Sequence, residues 1–198
     1  SVALAVPGFA AAAMLGDLHP DLSAKLNAIR YVSTATVSLG FNADEFEHDL
    51  NGFGFVIPRK EPTRLLAMTW TSTKFTHRAG PGTVLLRAFI GGPRREEYVS
   101  LDDDALIALV REELATIMGV HATPTVARAY RWLRGNPQYD VGHLERMDEI
   151  DALCPAGLYL TGSAFRGVGI PDCVKQGKTT AEQVVAYLGE CEPVSVTN

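Results

Sequence analysis

The chain has 198 residues, 46% of them hydrophobic and 21% charged, with a formal net charge of −5. This composition can bury the core of one domain or two small ones, and it excludes an intrinsically disordered chain. The acidic balance, without any concentrated basic run, argues against nucleic acid as the main partner. Cys154, Cys173 and Cys191 form no CxxC pair and are odd in number, which fits a reduced, intracellular setting. The longest apolar run, residues 2–15, is broken by Pro7-Gly8, is too short to span a bilayer and lacks a basic leader.

In chain order, residues 2–7 read as an apolar strand and 9–15 as a short buried helix ending near Gly16. An amphipathic stretch over 22–29 leads to a β-branched, alternating strand at 31–41. Strands at 53–57, 65–71 and 84–90 follow, separated by turns at Pro58, Pro62 and Gly80-Pro81-Gly82, which predicts a largely antiparallel sheet with one face free. Ser100 is placed as the cap of a helix with Asp102, Asp103 and Asp104 in its first turn, where carboxylates oppose the positive end of the dipole. Its buried stripe is Leu106, Ile107, Val110, Leu114 and Ile117, and Gly119 stops it. The acidic triplet read as a metal-ligand set is the lesser alternative. A strand over 125–132, a turn at Gly135-Asn136-Pro137-Gln138-Tyr139 and a helix over 141–153 complete the middle of the chain.

The organising stretch comes last. A buried strand at Leu158-Tyr159-Leu160 runs into Thr161-Gly162-Ser163 and then Gly167-Val168-Gly169-Ile170-Pro171-Asp172-Cys173-Val174. Either Asp172 caps the following helix or Pro171 occupies its first turn. Val174, Gly177, Ala181, Val184 and Leu188 recur at helical spacing, and Gly189 ends the run. Such a strand, loop and helix start can receive negative charge, although spacing alone equally allows a plain packing unit.

This segment resembles the C-terminal flavin-binding segment of the protoporphyrinogen/coproporphyrinogen oxidases, FAD-dependent members of the amine-oxidase-like superfamily. The opening strand, Pro-Gly turn and Ala-rich helix resemble the same family, as do Asn51-Gly52-Phe53-Gly54-Phe55-Val56-Ile57-Pro58, Leu85-Leu86-Arg87-Ala88-Phe89-Ile90-Gly91-Gly92 and the Pro-Gln-Tyr element at 137–139. No GxGxxG occurs in the sequence, so the unit that grips the ADP half of FAD is not found in it. The resemblance therefore implies the C-terminal portion of a larger enzyme. The expected fold is α/β with α+β character: a mostly antiparallel substrate-domain sheet with packed helices, plus the last strand and helix of a dinucleotide-binding domain. The expected divisions are 1–20 (partial FAD domain), 21–155 (substrate domain), 156–190 (C-terminal FAD-domain strand, loop and helix) and a tail at 191–198.

The resemblance further implies FAD as cofactor, with Gly162, Ser163, Gly167, Val168, Gly169, Ile170 and Asp172 holding it. It implies a porphyrinogen substrate met by Phe53, Val56, Thr69, Phe89 and Asn136. It also implies oxidation to the porphyrin in haem biosynthesis, with dioxygen as acceptor and hydrogen peroxide as product. Phe53 and Val56 lie three apart, so strict alternation sets them on opposite faces unless Gly52 and Gly54 break the strand. Arg87 shares a strand face with Leu85 and Phe89; it is read either as a clamp for a substrate propionate or as half of a structural salt bridge. No protein residue is assigned a catalytic role, because the flavin carries the chemistry. His19, His48, His77, His121 and His143 are scattered, so no metal site is expected. Cys173 is read as packing rather than as a nucleophile, and no Gly-x-Ser-x-Gly elbow exists. The competing readings are another FAD-dependent amine-oxidase-like oxidoreductase, or an isolated ligand-binding module without activity. The cytoplasm is the expected location, with peripheral membrane contact and a homodimer left open.

Overall fold

A computed structural model describes residues 1–190. The expected tail at 191–198, with Cys191, lies outside the described residues. The chain separates into two compact units, residues 1–31 with 137–198 and residues 32–136.

The first unit contains β1 (Val2–Leu4), α1 (Gly8–Leu15) and α2 (Pro20–Asn27), then α5 (His143–Leu153), β7 (Leu158–Leu160) and α6 (Ile170–Glu190). β1 and β7 pair in parallel, Val2 with Leu158 through Leu4 with Leu160. The Ala-rich face of α1 lets α2 approach closely, and α5 packs on α2. Ala11, Ala12, Leu15, Leu22, Leu26, Ile29, Met147 and Ile150 form one core, joined by Ala164 and Phe165 from the glycine loop. α2 buries its apolar stripe against α1 and α5 packs on α2, so both fall in the first compact unit, which divides from the second at 31/32 and 136/137.

The second unit is a five-stranded sheet with strand order β3-β4-β5-β2-β6. Its strands are β2 (Tyr31–Asn42), β3 (Gly54–Val56), β4 (Leu65–Trp70), β5 (Thr83–Gly91) and β6 (Val126–Pro137), with the short α3 (Thr71–Lys74) after β4. β2 with β5, β4 with β5 and β3 with β4 are antiparallel. Alternation does the sorting: Ala35, Val37 and Leu39, with Leu86, Ala88 and Ile90, point to one face and are buried with Leu106, Val110 and Leu114 of α4 (Asp103–Met118). The expected α/β class with a mostly antiparallel sheet holds.

Several local expectations change. The cap of α4 is Asp102, whose carboxylate accepts from the Ala105 N–H at 2.8 Å. Ser100 instead closes the preceding turn by donating to Glu97 O. The acidic residues are thus engaged at a helix start, and Gly119 ends the helix in the left-handed conformation. β6 extends to Pro137, over the first three residues of the segment expected as a turn, with Arg134 at φ 47° within the strand. α6 begins at Ile170, so Pro171 and Asp172 occupy its first turn and Asp172 is not its cap. α6 also passes Gly189 to Glu190. Its inward residues are Cys173, Gln176, Thr180, Val184 and Tyr187, whereas Ile170, Val174, Val185 and Leu188 are more than half exposed.

Candidate functional site

The glycine loop of the first unit starts where Thr161 N–H donates to Leu4 O, just beyond the parallel ladder. Gly162 takes φ 114° and an added Cβ there would meet open space. Gly167, at φ 145°, is tighter: a Cβ would lie 2.5 Å from Cβ of Asp172. Gly169 has no positive φ, and the only close approach of a Cβ there would be to the Asp172 carboxylate tip at 2.9 Å, with Pro171 Cδ at an ordinary 3.7 Å. The loop is tied from several sides. Gln176 accepts from Arg166 N–H and donates to Gly167 O, both at 3.2 Å. The Arg166 guanidinium donates to Asp148 at 2.8 Å and to Asp151 at 2.6 Å. Tyr139 hydroxyl donates to Ser163 O and accepts from Gly167 N–H.

All seven expected cofactor residues therefore lie on one loop and the first turn of α6. Two observations test whether they suit a flavin. Val168 and Ile170 are 57% and 82% exposed, apolar side chains held beside a helix N-terminus. Thr161, at the loop's root, is buried with its Oγ1 unpartnered among the described residues. An apolar edge beside backbone donors suits a flat, polar-rimmed ring, so the residues fit. Cys173 donates its thiol to Gly167 O at 3.7 Å, a packing contact of the loop. Burial pushes the Cys154 thiol up to about 11, with the Asp151 charge adding to it. Among the described residues, no group of three or more His, Cys, Asp or Glu could hold a metal ion.

The second unit presents a wall on the sheet face opposite α4. Register places Val56 beside Ala67 and Ala67 beside Phe89. One row along, Gly54 pairs with Thr69, Thr69 with Arg87 and Arg87 with Ser38. Val56, Thr69, Arg87 and Phe89 thus form one patch. Arg87 is exposed and, among the described residues, its guanidinium makes no hydrogen bond or ion pair. Asn136 stands at the margin, its amide donating to Thr34 Oγ1 at 3.1 Å. Phe53 falls outside β3 and is 64% exposed. The positive φ of Gly54 breaks the alternation that would otherwise have sent Phe53 to the core face.

Sequence reasoning missed four members of this wall. A Cβ added at Gly40 would lie 3.5 Å from Cβ of Val126, which puts Val126 on the same face. Alternation along β6 then brings Arg128, Tyr130 and Trp132 there, while Ala127 and Ala129 pack on the core. Tyr130 and Trp132 are 56% and 58% exposed. The signal was the alternating aromatic pattern of that strand.

The family profile described as "Flavin containing amine oxidoreductase" matches residues 1–185. The chain belongs to this family. It is 40% identical over 191 residues to coproporphyrinogen III oxidase of Bacillus subtilis (strain 168), covering 95% of this chain and 40% of that protein. It is 37% identical over 159 residues to coproporphyrinogen III oxidase of Staphylococcus aureus (strain NCTC 8325 / PS 47), covering 79% of this chain and 34% of the relative. A crystal structure from Exiguobacterium sp. 255-15, provisionally named as a protoporphyrinogen oxidase, superposes with TM-score 0.78 at 34% identity, covering 96% of this chain and 41% of that one. The chain thus spans well under half the length of these relatives. Family membership makes a flavin the cofactor class. Among the described residues, no helix is long and apolar enough to cross a membrane.

Proposed function

We propose that this chain is the C-terminal part of an FAD-dependent oxidase that converts coproporphyrinogen III to the porphyrin in haem biosynthesis, with dioxygen as acceptor. The observation that carries this reading is the braced glycine loop at the start of α6, in a chain 40% identical to a coproporphyrinogen III oxidase. Gly162, Ser163, Gly167, Val168, Gly169, Ile170 and Asp172 would hold the flavin. When bound, it supplies the two-electron oxidising chemistry. The chain's own residues bind and orient. The first turn of α6 offers positive dipole charge to an anionic ring, and the wall of Val56, Phe89, Tyr130 and Trp132 offers apolar contact to a macrocycle. The parallel β1–β7 pair supports the fragment reading, because parallel sheets normally carry more strands and cover on both faces.

The purified 198-residue chain is expected to be colourless and without porphyrinogen oxidase activity. The reason is that its sequence holds no GxGxxG to bind the ADP half of FAD. Material that keeps stoichiometric yellow flavin and forms fluorescent porphyrin overturns the fragment reading. In the full-length protein, porphyrin formation from coproporphyrinogen III tests the substrate assignment. Faster oxidation of protoporphyrinogen IX, the substrate suggested by the name of the Exiguobacterium structure, would replace it.

Arg87 distinguishes the two substrates. The absence of any carboxylate partner among the described residues favours the clamp over the salt bridge. Arg87→Leu in the full-length protein is expected to raise KM for four-carboxylate coproporphyrinogen more than for two-carboxylate protoporphyrinogen. The loss of one charged hydrogen-bonding contact amounts to about 1.5–3 kcal/mol. Equal losses on both substrates, together with a lower Tm, would make Arg87 a structural residue.

A further inference from the structure

We infer that Tyr139 and His143 are positioning residues that brace the glycine loop in the shape required to bind the flavin, an inference that rests on the loop reading proposed above. The two rings stack almost flat, with centroids 3.8 Å apart and planes inclined by 14°. The Tyr139 hydroxyl donates to Ser163 O at 3.0 Å and accepts from Gly167 N–H at 2.7 Å, spanning the loop like a strut. Between these points, His143 Nε2 donates to Phe165 O at 2.7 Å. One stacked pair thereby ties residues 163, 165 and 167.

The pair is itself anchored. Arg30 donates through Nε and Nη2 to the two Asp140 oxygens at 3.0 and 2.8 Å, and Gln138 N–H donates to Arg30 O at 2.8 Å. These contacts fix the residues on either side of Tyr139. Burial holds the Tyr139 phenol above its ordinary range, with the Gly167 hydrogen bond opposing that rise, so the hydroxyl remains a donor.

His143 carries a sharper message. It is 4% exposed, and with Nε2 as donor its Nδ1 is a buried acceptor with no partner among the described residues. A site that needed only bulk would be served by leucine or phenylalanine without orphaning a nitrogen. The polar capacity of the ring is directed at the loop alone. With the Tyr139 bond to Gly167 N–H, the pair holds Gly167 at φ 145°, so that residues 168–170 leave from a fixed point. A binding loop held before its ligand arrives does not have to be ordered on binding, which preserves affinity.

The variants separate the contributions. Tyr139→Phe keeps the stack and removes both hydroxyl bonds; His143→Leu removes stack and donor; His143→Gln keeps an amide donor within reach of the Phe165 carbonyl. In the 198-residue chain, Tyr139→Phe should accelerate exchange of the Gly167 amide proton about tenfold, read by NMR, with α4 amides unchanged. In the full-length flavoprotein, Tyr139→Phe and His143→Leu should each weaken flavin binding about tenfold and alter the visible absorption of bound flavin, while His143→Gln stays within about threefold of the parent. Unchanged Gly167 exchange and flavin affinity in Tyr139→Phe overturn the brace, and this variant decides the matter even if His143→Leu does not fold. A His143→Gln variant as weak as His143→Leu overturns the donor role of His143. Gly167→Val keeps the two readings apart. If it retains flavin normally, the loop itself has been misassigned. If it loses flavin while Tyr139→Phe and His143→Leu bind normally, only the positioning role falls.

Discussion

Gly167→Val is expected to strip the flavin from the full-length protein, leaving a colourless polypeptide whose second unit remains folded. The new Cβ would lie 2.5 Å from Cβ and 2.7 Å from Cγ of Asp172, and the backbone sits at φ 145°. A β-branched residue cannot hold that conformation without strain of about 1–3 kcal/mol, even before the clash is relieved. Relief requires the loop to part from the first turn of α6, which breaks the Gln176 bond to Gly167 O and the Tyr139 bond to Gly167 N–H. Flavin binding should weaken by at least about a hundredfold. Gly169→Val is the milder change, since the only close approach of its Cβ is to a movable carboxylate tip. The measurement is flavin content of the purified variant, with far-UV circular dichroism as a check on folding. Full flavin content in Gly167→Val would show that this turn does not carry the cofactor.

Gly54→Ala is expected to be the most damaging single-methyl change in the second unit. Its Cβ would lie 2.0 Å from Met68 O, 2.8 Å from Cα of Thr69 and 3.0 Å from Met68 C, all backbone atoms of the neighbouring strand. None of these can swing aside as a flexible side chain would. β3 must separate from β4, exposing Phe55, which packs on the core. Together with φ 128°, the penalty should reach about 3–5 kcal/mol, or a fall in Tm of about 10–20 °C. Gly80→Ala, where an added Cβ meets nothing within 4 Å, is the matched control and should melt with the parent. Equal melting temperatures for both variants would mean that β3 can shift without cost, and the wall around Val56 and Thr69 would lose its rigidity.

Much of the sheet was legible because alternation is a local property. Val37, Leu39, Leu86, Ala88 and Ile90 announce the core face through their own spacing, and Arg87 falls on the other face by the same rule. Membership of a core is not local. The amphipathic stripe of α2 was visible, but nothing in it says that the small residues Ala11 and Ala12 receive it rather than the sheet. The α4 cap was misplaced by two residues because Ser100 and Asp102 are both good caps, and only the fold shows which N–H each can reach. On α6 the most apolar stripe is the exposed one, and Gln176 faces inward, where it bonds the loop at Arg166 N–H and Gly167 O. Tyr139 stood out only as part of the Pro-Gln-Tyr element and His143 only as one of five scattered histidines, since an aromatic four residues before an imidazole reads equally well as packing. Their roles emerge from contacts some twenty to thirty positions away in the chain.

The second unit is one uninterrupted segment, and the strands that open and close it, β2 and β6, are neighbours in the sheet. The chain therefore enters and leaves at adjacent points, pinned together by the Asn136 bond to Thr34. A segment with its two ends side by side behaves as a cassette. It can be exchanged for the corresponding piece of a relative through two junctions, with little change in the entropy of closing the chain across them. Selection could then retune the wall around Val56, Arg87 and Phe89 while inheriting the glycine loop and its brace intact, as separate parts of one gene.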